Sequence, residues 1–164
     1  MAQFFTAGEI AKAAIEIESR GQEFYLRVAA KAKKPETQDF FKFFAGEEAK
    51  HRKLFEDLAK RLGPVELPAW STNEEYAEYL AALLDSHALF SGEYAEKLMS
   101  EAEDEAAAVR MAMSFEKDTI LFFNEMRELV PDAEKGFVQH CIDEERSHLR
   151  QLRGRLQRGS LHKG

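Results

Sequence analysis

The sequence predicts an all-α protein with four long helices and one short helix, and two observations carry this prediction. Apolar residues recur at three- and four-residue spacing over long segments, which is typical of amphipathic helices. The four prolines and nine glycines fall mostly between these segments, where they end helices or turn the chain. The alternation of apolar and polar residues that is typical of β-strands is absent.

The first two helices follow from capping and proline signals. Thr6 and Glu9 form a capping-box pattern ahead of an apolar stripe, which predicts a helix over 7–32. Pro35 suits the first turn of a helix, and the stripe that follows it predicts a second helix over 36–61.

A short extra helix is predicted in the long connection that follows. Thr72 and Glu75 form another capping-box pattern, and we expect this helix to extend to about Phe90, over roughly 73–90.

The last two long helices are separated by a proline turn. A third capping-box pattern, Ser100 with Glu103, predicts a helix that ends near Val130. The last helix is predicted from about residue 133 to the mid-150s. The basic, glycine-rich tail from about residue 154 is expected to fray.

Length and composition limit the classes of protein. A chain of 164 residues with 45% hydrophobic content predicts one domain over 1–164. The net charge of −7 disfavours binding to nucleic acid. No apolar run reaches the length of a membrane span and no signal peptide is evident, so we expect no membrane contact and a cytoplasmic location. The single cysteine, Cys141, excludes an internal disulfide and a Cys₄ metal site.

The chain reads as two copies of a helical hairpin. A shift of 98 residues aligns the first long helix with the third and places Glu18 on Glu116. A shift of 97 residues aligns the second with the fourth and places Glu48 on Glu145 and His51 on His148; Glu47 falls on Glu144.

The repeated acidic residues and histidines share helix faces with apolar residues. In Glu48-x-x-His51 and Glu145-x-x-His148 the two side chains lie three residues apart, so each pair can reach one common point. Ionised carboxylates are strongly disfavoured in a core unless they are paired or bind a metal. Four carboxylates balance two divalent ions, and oxygen and imidazole ligands suit iron or manganese, with zinc as a substitute. The alternative is that these glutamates lie on solvated faces of a plain bundle.

At these residues the sequence resembles the rubrerythrin-like branch of the ferritin-like di-iron carboxylate proteins. The resemblance spans roughly residues 7–157. It rests on E-S-R-G-Q-E-F-Y from Glu18, E-E-A-K-H from Glu47, F-E-K-D-T-I-L-F-F from Phe115 and D-E-E-R-S-H from Asp143. It implies a ferritin-like four-helix bundle, with the short extra helix in the crossover between the second and third long helices.

The resemblance also implies a role for each residue in a centre of two iron ions. Glu18 and Glu116 would each bind one ion, Glu48 and Glu145 would bridge the two ions, and His51 and His148 would each bind one ion. Glu47 and Glu144 would hydrogen-bond the metal-bound imidazoles. Tyr25 is expected either to pack or to act as a hydrogen-bonding or electron relay beside the metals.

Two departures from rubrerythrins shape the expected function. Thr119 stands where those proteins have a further glutamate, and the chain lacks the Cys₄ rubredoxin domain. We expect an oxidoreductase that reacts with dioxygen or hydrogen peroxide and depends on an external donor, either rubredoxin-like or a flavoprotein. The alternatives are a ferroxidase or iron-handling protein, or a non-enzymatic bundle with a structural metal.

A phenylalanine-rich run, Phe40, Phe41, Phe43 and Phe44, covers more than one helical face. Part of it is therefore expected to meet the added helix or a partner subunit, as in a homodimer.

Overall fold

The computed structural model describes residues 4–90 and 104–161, and within them it is built from helices. The helices are α1 (Ala7–Lys31), α2 (Pro35–Leu62), α3 (Glu74–Asp85), α4 (Glu105–Leu129) and α5 (Asp132–Leu161), with a 3₁₀ turn at Ala69–Thr72. No β-strand occurs in the described residues; Thr6 and Glu66 form an isolated bridge. The predicted all-α bundle of four long helices and one short helix is confirmed.

The two predicted hairpins are present, with α1 packed on α2 and α4 packed on α5. Two apolar clusters fill the bundle, one at each end. The first contains Ile17, Phe55, Phe122 and Met126. The second contains Phe24, Phe44, Phe115 and Leu152. Between these clusters, each long helix places polar residues in the interior, so the core is divided by a polar layer.

Local signals position the first two helices as predicted. The Thr6 hydroxyl accepts a hydrogen bond from the Glu9 amide at 3.3 Å, and the Glu9 carboxylate accepts one from the Thr6 amide at 2.9 Å. This reciprocal pair satisfies amides that the first turn of α1 leaves unpaired. Pro35 occupies the first turn of α2, where no intrahelical amide bond is lost.

The predicted start and end of the short helix are wrong. Asn73, not Thr72, caps α3, and its side chain accepts a hydrogen bond from the Tyr76 amide at 2.8 Å. The Thr72 hydroxyl instead donates to the Ala69 carbonyl at 2.8 Å and closes the preceding 3₁₀ turn. The helix ends at Asp85 rather than near Phe90.

The segment after α3 leaves the helix because it bonds to two long helices. The Ala88 amide donates to the Asp118 carboxylate on α4 at 3.0 Å, and Arg20 on α1 donates to the Leu89 carbonyl at 3.2 Å. The Arg20 guanidinium also lies over the Phe90 ring, 4.1 Å from its centroid. These contacts hold the crossover across α1 and α4.

The ends of the second hairpin also differ from prediction. The predicted cap at Ser100 and Glu103 lies outside the described residues; α4 begins at Glu105 with Asp104 as its N-cap. The tail expected to fray from about residue 154 is helical to Leu161. Tertiary contacts explain the longer helix, because Arg155 pairs with Glu105 and donates to Thr37 at 3.1 Å. Leu156 packs on the second apolar cluster.

His87, in the segment after α3, contacts the interior of the bundle. Its side chain is fully buried, its Nε2 lies 3.0 Å from the Thr119 hydroxyl, and its Nδ1 accepts a hydrogen bond from the Leu89 amide at 3.2 Å. Because the Thr119 hydroxyl donates to the Phe115 carbonyl at 2.8 Å, Nε2 of His87 carries the proton and donates to Thr119. The imidazole is therefore neutral, with both nitrogens hydrogen-bonded.

This neutral histidine predicts acid sensitivity of the fold. Burial, together with the positive charge of Arg20, lowers the pKa of His87 to about 4. Between pH 6.5 and 4 the unfolded chain binds a proton at His87 that the folded chain does not, so stability falls as the pH falls through this window. Between pH 6.5 and 4, we expect His87 to account for about 3 kcal/mol of the fall in the unfolding free energy of the metal-free protein. The variant His87→Gln should lack this part of the fall, which urea unfolding at several pH values would measure. If the unfolding free energy falls with pH equally steeply in both proteins, His87 is not held neutral in the folded state.

Candidate metal centre

The polar layer consists of the six residues that the repeat singled out. α1 contributes Glu18, α2 contributes Glu48 and His51, α4 contributes Glu116, and α5 contributes Glu145 and His148. All six are at most 3% exposed. Because each Glu-x-x-His pair spans three residues of one helix, both members face the layer. The interpretation that places these glutamates on solvated faces is therefore wrong.

These side chains form two groups whose potential ligand atoms lie within 4.8 Å of one another. One group contains Glu48, Glu116, Glu145 and His148, and the other contains Glu18, His51 and Glu145. Glu145 belongs to both groups, as expected of a bridging ligand. Glu48, also predicted to bridge, falls in the His148 group alone by this distance criterion.

Both imidazoles direct Nδ1 into the layer. His51 Nδ1 lies 2.8 Å from Glu145 Oε1 and 3.7 Å from Glu18 Oε1. His148 Nδ1 lies 3.3 Å from Glu145 Oε2 and 3.8 Å from an oxygen of Glu48 and of Glu116. The two rings stack at a centroid distance of 5.8 Å. Glu145 thus lies between the two histidines.

Several atoms of the layer are buried without a hydrogen-bond partner. These atoms are both oxygens of Glu18, Oε1 of Glu48, Oε2 of Glu145 and Nδ1 of His148. An unpaired buried polar group costs about 1–3 kcal/mol, and more when it is charged. All five are of the atom types that bind hard or borderline divalent cations, and they converge from three helices, α1, α2 and α5. The donor set therefore fits a pair of metal ions.

Protons balance the charge of the layer when no metal is bound. Burial raises the pKa values of Glu18 and Glu48 well above the usual value, and neighbouring carboxylates raise them further. Burial and the charge of Glu145 raise the pKa of Glu116 to about 8. In the metal-free protein, burial therefore favours the protonated forms of Glu18, Glu48 and Glu116.

Glu145 is the ionised member of the set. Burial opposes its charge, but its contacts with Glu116, His148 and His51 outweigh burial and hold its pKa well below the usual value. Burial likewise opposes protonation of the histidines, yet the nearby carboxylates raise the pKa values of His51 and His148 to about 10. Glu145 thus lies between two imidazolium groups. Metal ions that bind here must displace the protons of these groups.

The outward nitrogen of each histidine faces a carboxylate from the opposite helix. His51 Nε2 forms a short hydrogen bond with Glu144 on α5. His148 Nε2 lies 3.9 Å from Glu47 on α2, too far for a hydrogen bond, and Glu47 instead accepts one from Lys50 at 2.8 Å. The structure thus pairs Glu144 with a histidine as predicted, and leaves Glu47 at the longer distance of an ion pair.

Tyr25 contacts the layer directly. Its hydroxyl donates to Glu116 Oε1 at 2.8 Å, and its ring is fully buried. The ring stacks on Phe44 at 5.3 Å and meets Phe115 edge-on at 5.3 Å. Burial and the negative charge of Glu116 raise the pKa of Tyr25 well above its usual value, so the phenol keeps its proton.

Two residues beside the layer were not predicted as part of the site. Gly21 and Thr119 occupy the same position in the two repeats, three residues after Glu18 and Glu116. The Glu48 carboxylate lies against Gly21, and His87 bonds to Thr119. The 98-residue shift pairs Gly21 with Thr119, but it does not indicate what fills the space beside either residue.

Comparison with known proteins agrees with this architecture. The rubrerythrin family model matches residues 9–156. A crystal structure of a candidate ferritin-like diiron-carboxylate protein from Thermotoga maritima matches with a TM-score of 0.69 and 21% identity, covering 96% of this chain and 98% of that chain. At this identity the likeness shows a shared fold. No curated protein matches the chain. Within residues 4–90 and 104–161, no helix has the length and apolar content needed to cross a bilayer.

The protonated layer predicts that metal binding releases protons. Metal ions displace protons from carboxyl and imidazole ligands, so each pair of divalent ions bound at pH 7 should release several protons. Calorimetric titration with Mn²⁺ in buffers of different ionisation enthalpy would measure this release. Affinity should rise with pH up to about 10, the pKa of the two histidines. A binding heat that is the same in every buffer would contradict the protonation pattern.

Proposed function

Because the chain belongs to the rubrerythrin family, we propose that it holds two iron ions in the polar layer and reduces hydrogen peroxide or dioxygen with them. The observation that carries this proposal is the set of buried ligand atoms without hydrogen-bond partners. A bundle that needed no metal would leave these atoms unpaired at high cost.

The two groups of side chains support an assignment of ligands to each of the two ions. Glu18 and His51 would hold one ion, Glu116 and His148 the other, and Glu145 would bind both. Glu48 completes the set from α2. Four carboxylates offset the charge of two divalent ions, which leaves a nearly neutral cluster that a dry core can contain. Manganese and zinc suit the same donors and would be substitutes for iron.

Two ferrous ions held by these residues would supply two electrons, which with two protons would reduce one hydrogen peroxide to two molecules of water. The protein's task is to hold the ligands and exclude bulk water. Glu144 accepts a hydrogen bond from Nε2 of His51, so with metal bound the favoured tautomer would be the one whose Nδ1 lone pair faces the layer. The two apolar clusters close the layer from both ends of the bundle.

Tyr25 is suited to positioning Glu116 and to holding a proton beside the centre. Its hydroxyl donates to Glu116 Oε1, which orients that carboxylate towards His148. Packing against Phe44 and Phe115 fixes the ring, so the phenolic proton is held at one place in a buried site. This arrangement supports the relay role suggested by the sequence.

Within the 164 residues, no Cys₄ centre can supply the electrons. The chain has one cysteine, Cys141, which is buried among apolar residues; burial raises the pKa of its thiol to about 12. It cannot form a Cys₄ iron site, and the neutral thiol is a poor ligand. We therefore propose an external donor, either a rubredoxin-like protein or a flavoprotein.

The first test is metal stoichiometry. Elemental analysis after anaerobic reconstitution with Fe²⁺ should give two ions per chain. Because Glu145 belongs to both ligand groups, Glu145→Ala should lose both ions, whereas Glu47→Ala, which changes an outer carboxylate, should retain two ions with lower affinity. One ion or none in the unsubstituted protein would reject the paired site.

The second test compares oxidants by stopped-flow absorbance. The reduced, iron-loaded protein should react once with either hydrogen peroxide or dioxygen and then stop, since no donor is present. Thr119→Glu, which adds a carboxylate one turn after Glu116, should shift the rate ratio towards peroxide. An overwhelming peroxide preference in the unsubstituted protein would show that Thr119 does not discriminate. Inertness towards both oxidants with two irons bound would indicate a structural metal, and release of ferric iron to a mineral would indicate a ferroxidase.

A further inference from the structure

Gly21 lies where a side chain would collide with a residue of the metal centre. A Cβ atom built on Gly21 would meet Oε2 of Glu48 at 3.0 Å and its Cδ at 3.3 Å. Glu48 cannot readily move away, because it is 3% exposed and enclosed by the bundle. The Glu48 carboxylate therefore occupies the space beside α1 that a side chain at position 21 would otherwise fill.

The two oxygens of Glu48 face different parts of the layer. Oε1 lies 3.8 Å from His148 Nδ1, on the side of the layer that holds Glu116 and His148. Oε2 lies against α1 at Gly21, three residues after Glu18 on the same helical face. The Glu18 charge is the largest influence after burial in raising the pKa of Glu48, which agrees with their closeness.

The repeat shows that this contact is specific to the first hairpin. Thr119 occupies the position of Gly21 in the second hairpin, and its side chain bonds to His87 and to the Phe115 carbonyl. The second hairpin thus fills the equivalent space with a side chain, and the two halves of the centre are unequal at this point.

We infer that Gly21 is a positioning residue for Glu48, which lets this carboxylate extend from the His148 side of the centre to the Glu18 side. The inference rests on the proposed metal centre and adds a residue that is not a ligand. Metal–ligand distances in a well-formed site lie within about 0.2 Å of their standard values. A methyl group at position 21 would move Oε2 of Glu48 by a few tenths of an ångström, away from the Glu18 side.

The chain offers a matched control for the variant Gly21→Ala. Gly46 also lies inside a helix, α2, but a Cβ there would meet nothing within 4 Å. Replacing an interior helical glycine with alanine favours the helix, so Gly46→Ala should raise the Tm of the metal-free protein by about 2–4 °C. Gly21→Ala should give no such rise, because the collision with Glu48 opposes the gain in helix propensity.

Metal binding gives the decisive readout. In a Co²⁺ titration followed by absorbance, Gly21→Ala should weaken binding of one of the two ions about tenfold, and Gly46→Ala should bind both ions as the unsubstituted protein does. Unchanged binding of both ions by Gly21→Ala would overturn the inference.

A double-mutant cycle with Glu48→Ala tests whether Gly21 acts through Glu48. Without the Glu48 carboxylate, Gly21→Ala should no longer weaken Co²⁺ binding and should raise the Tm of the metal-free protein as Gly46→Ala does. If Gly21→Ala alone does not fold, folding of the double variant supports the inference, whereas failure of both variants contradicts it. If the unsubstituted protein binds no Co²⁺, the proposed function fails. The Tm values of the metal-free single and double variants still decide whether Gly21 accommodates Glu48.

Discussion

The burial of four carboxyl groups in one layer is the constraint on which the rest of the structure depends. Glu18, Glu48, Glu116 and Glu145 are almost fully enclosed, and two apolar clusters close the layer from above and below. Without metal, burial favours the protonated forms of Glu18, Glu48 and Glu116, while Glu145 lies between the two histidines and has a lowered pKa. With metal, cations replace the protons. In the proposed metal centre, the bundle would thus exchange protons for metal ions at a fixed place.

The duplicated hairpin provides this layer. The two halves are not identical, however, because the two histidines have different outer partners. Glu144 forms a short bond with His51, while its counterpart Glu47 bonds to Lys50 and stays 3.9 Å from His148. The exposed His140 lies 3.1 Å from Glu144 and connects that half to the surface. Two metal positions with similar ligands can therefore differ in affinity and reactivity, because their surroundings differ.

Periodicity and local capping predicted most of the fold, since they depend on residues close in sequence. The Thr6–Glu9 box and Pro35 define helix starts that need no tertiary contact. The repeat also located the six buried residues of the polar layer, because matching Glu-x-x-His pairs recur at nearly one offset. What it could not predict depends on distant residues: Asp118 and Arg20 draw the crossover out of the helix at Asp85, and Arg155 bound to Glu105 keeps α5 helical past Gly154. Adjacent capping residues were also ambiguous, and Asn73 caps α3 where Thr72 was expected.

Anomalous diffraction from crystals grown with Fe²⁺ or Mn²⁺ would test the central claim most directly, that the buried layer is a two-metal site. The account predicts two peaks per chain, about 3.5–4 Å apart, with Glu145 bound to both and Nδ1 of each histidine bound to one. A single peak, or metal bound at surface carboxylates while the six buried residues keep their protons, would contradict it.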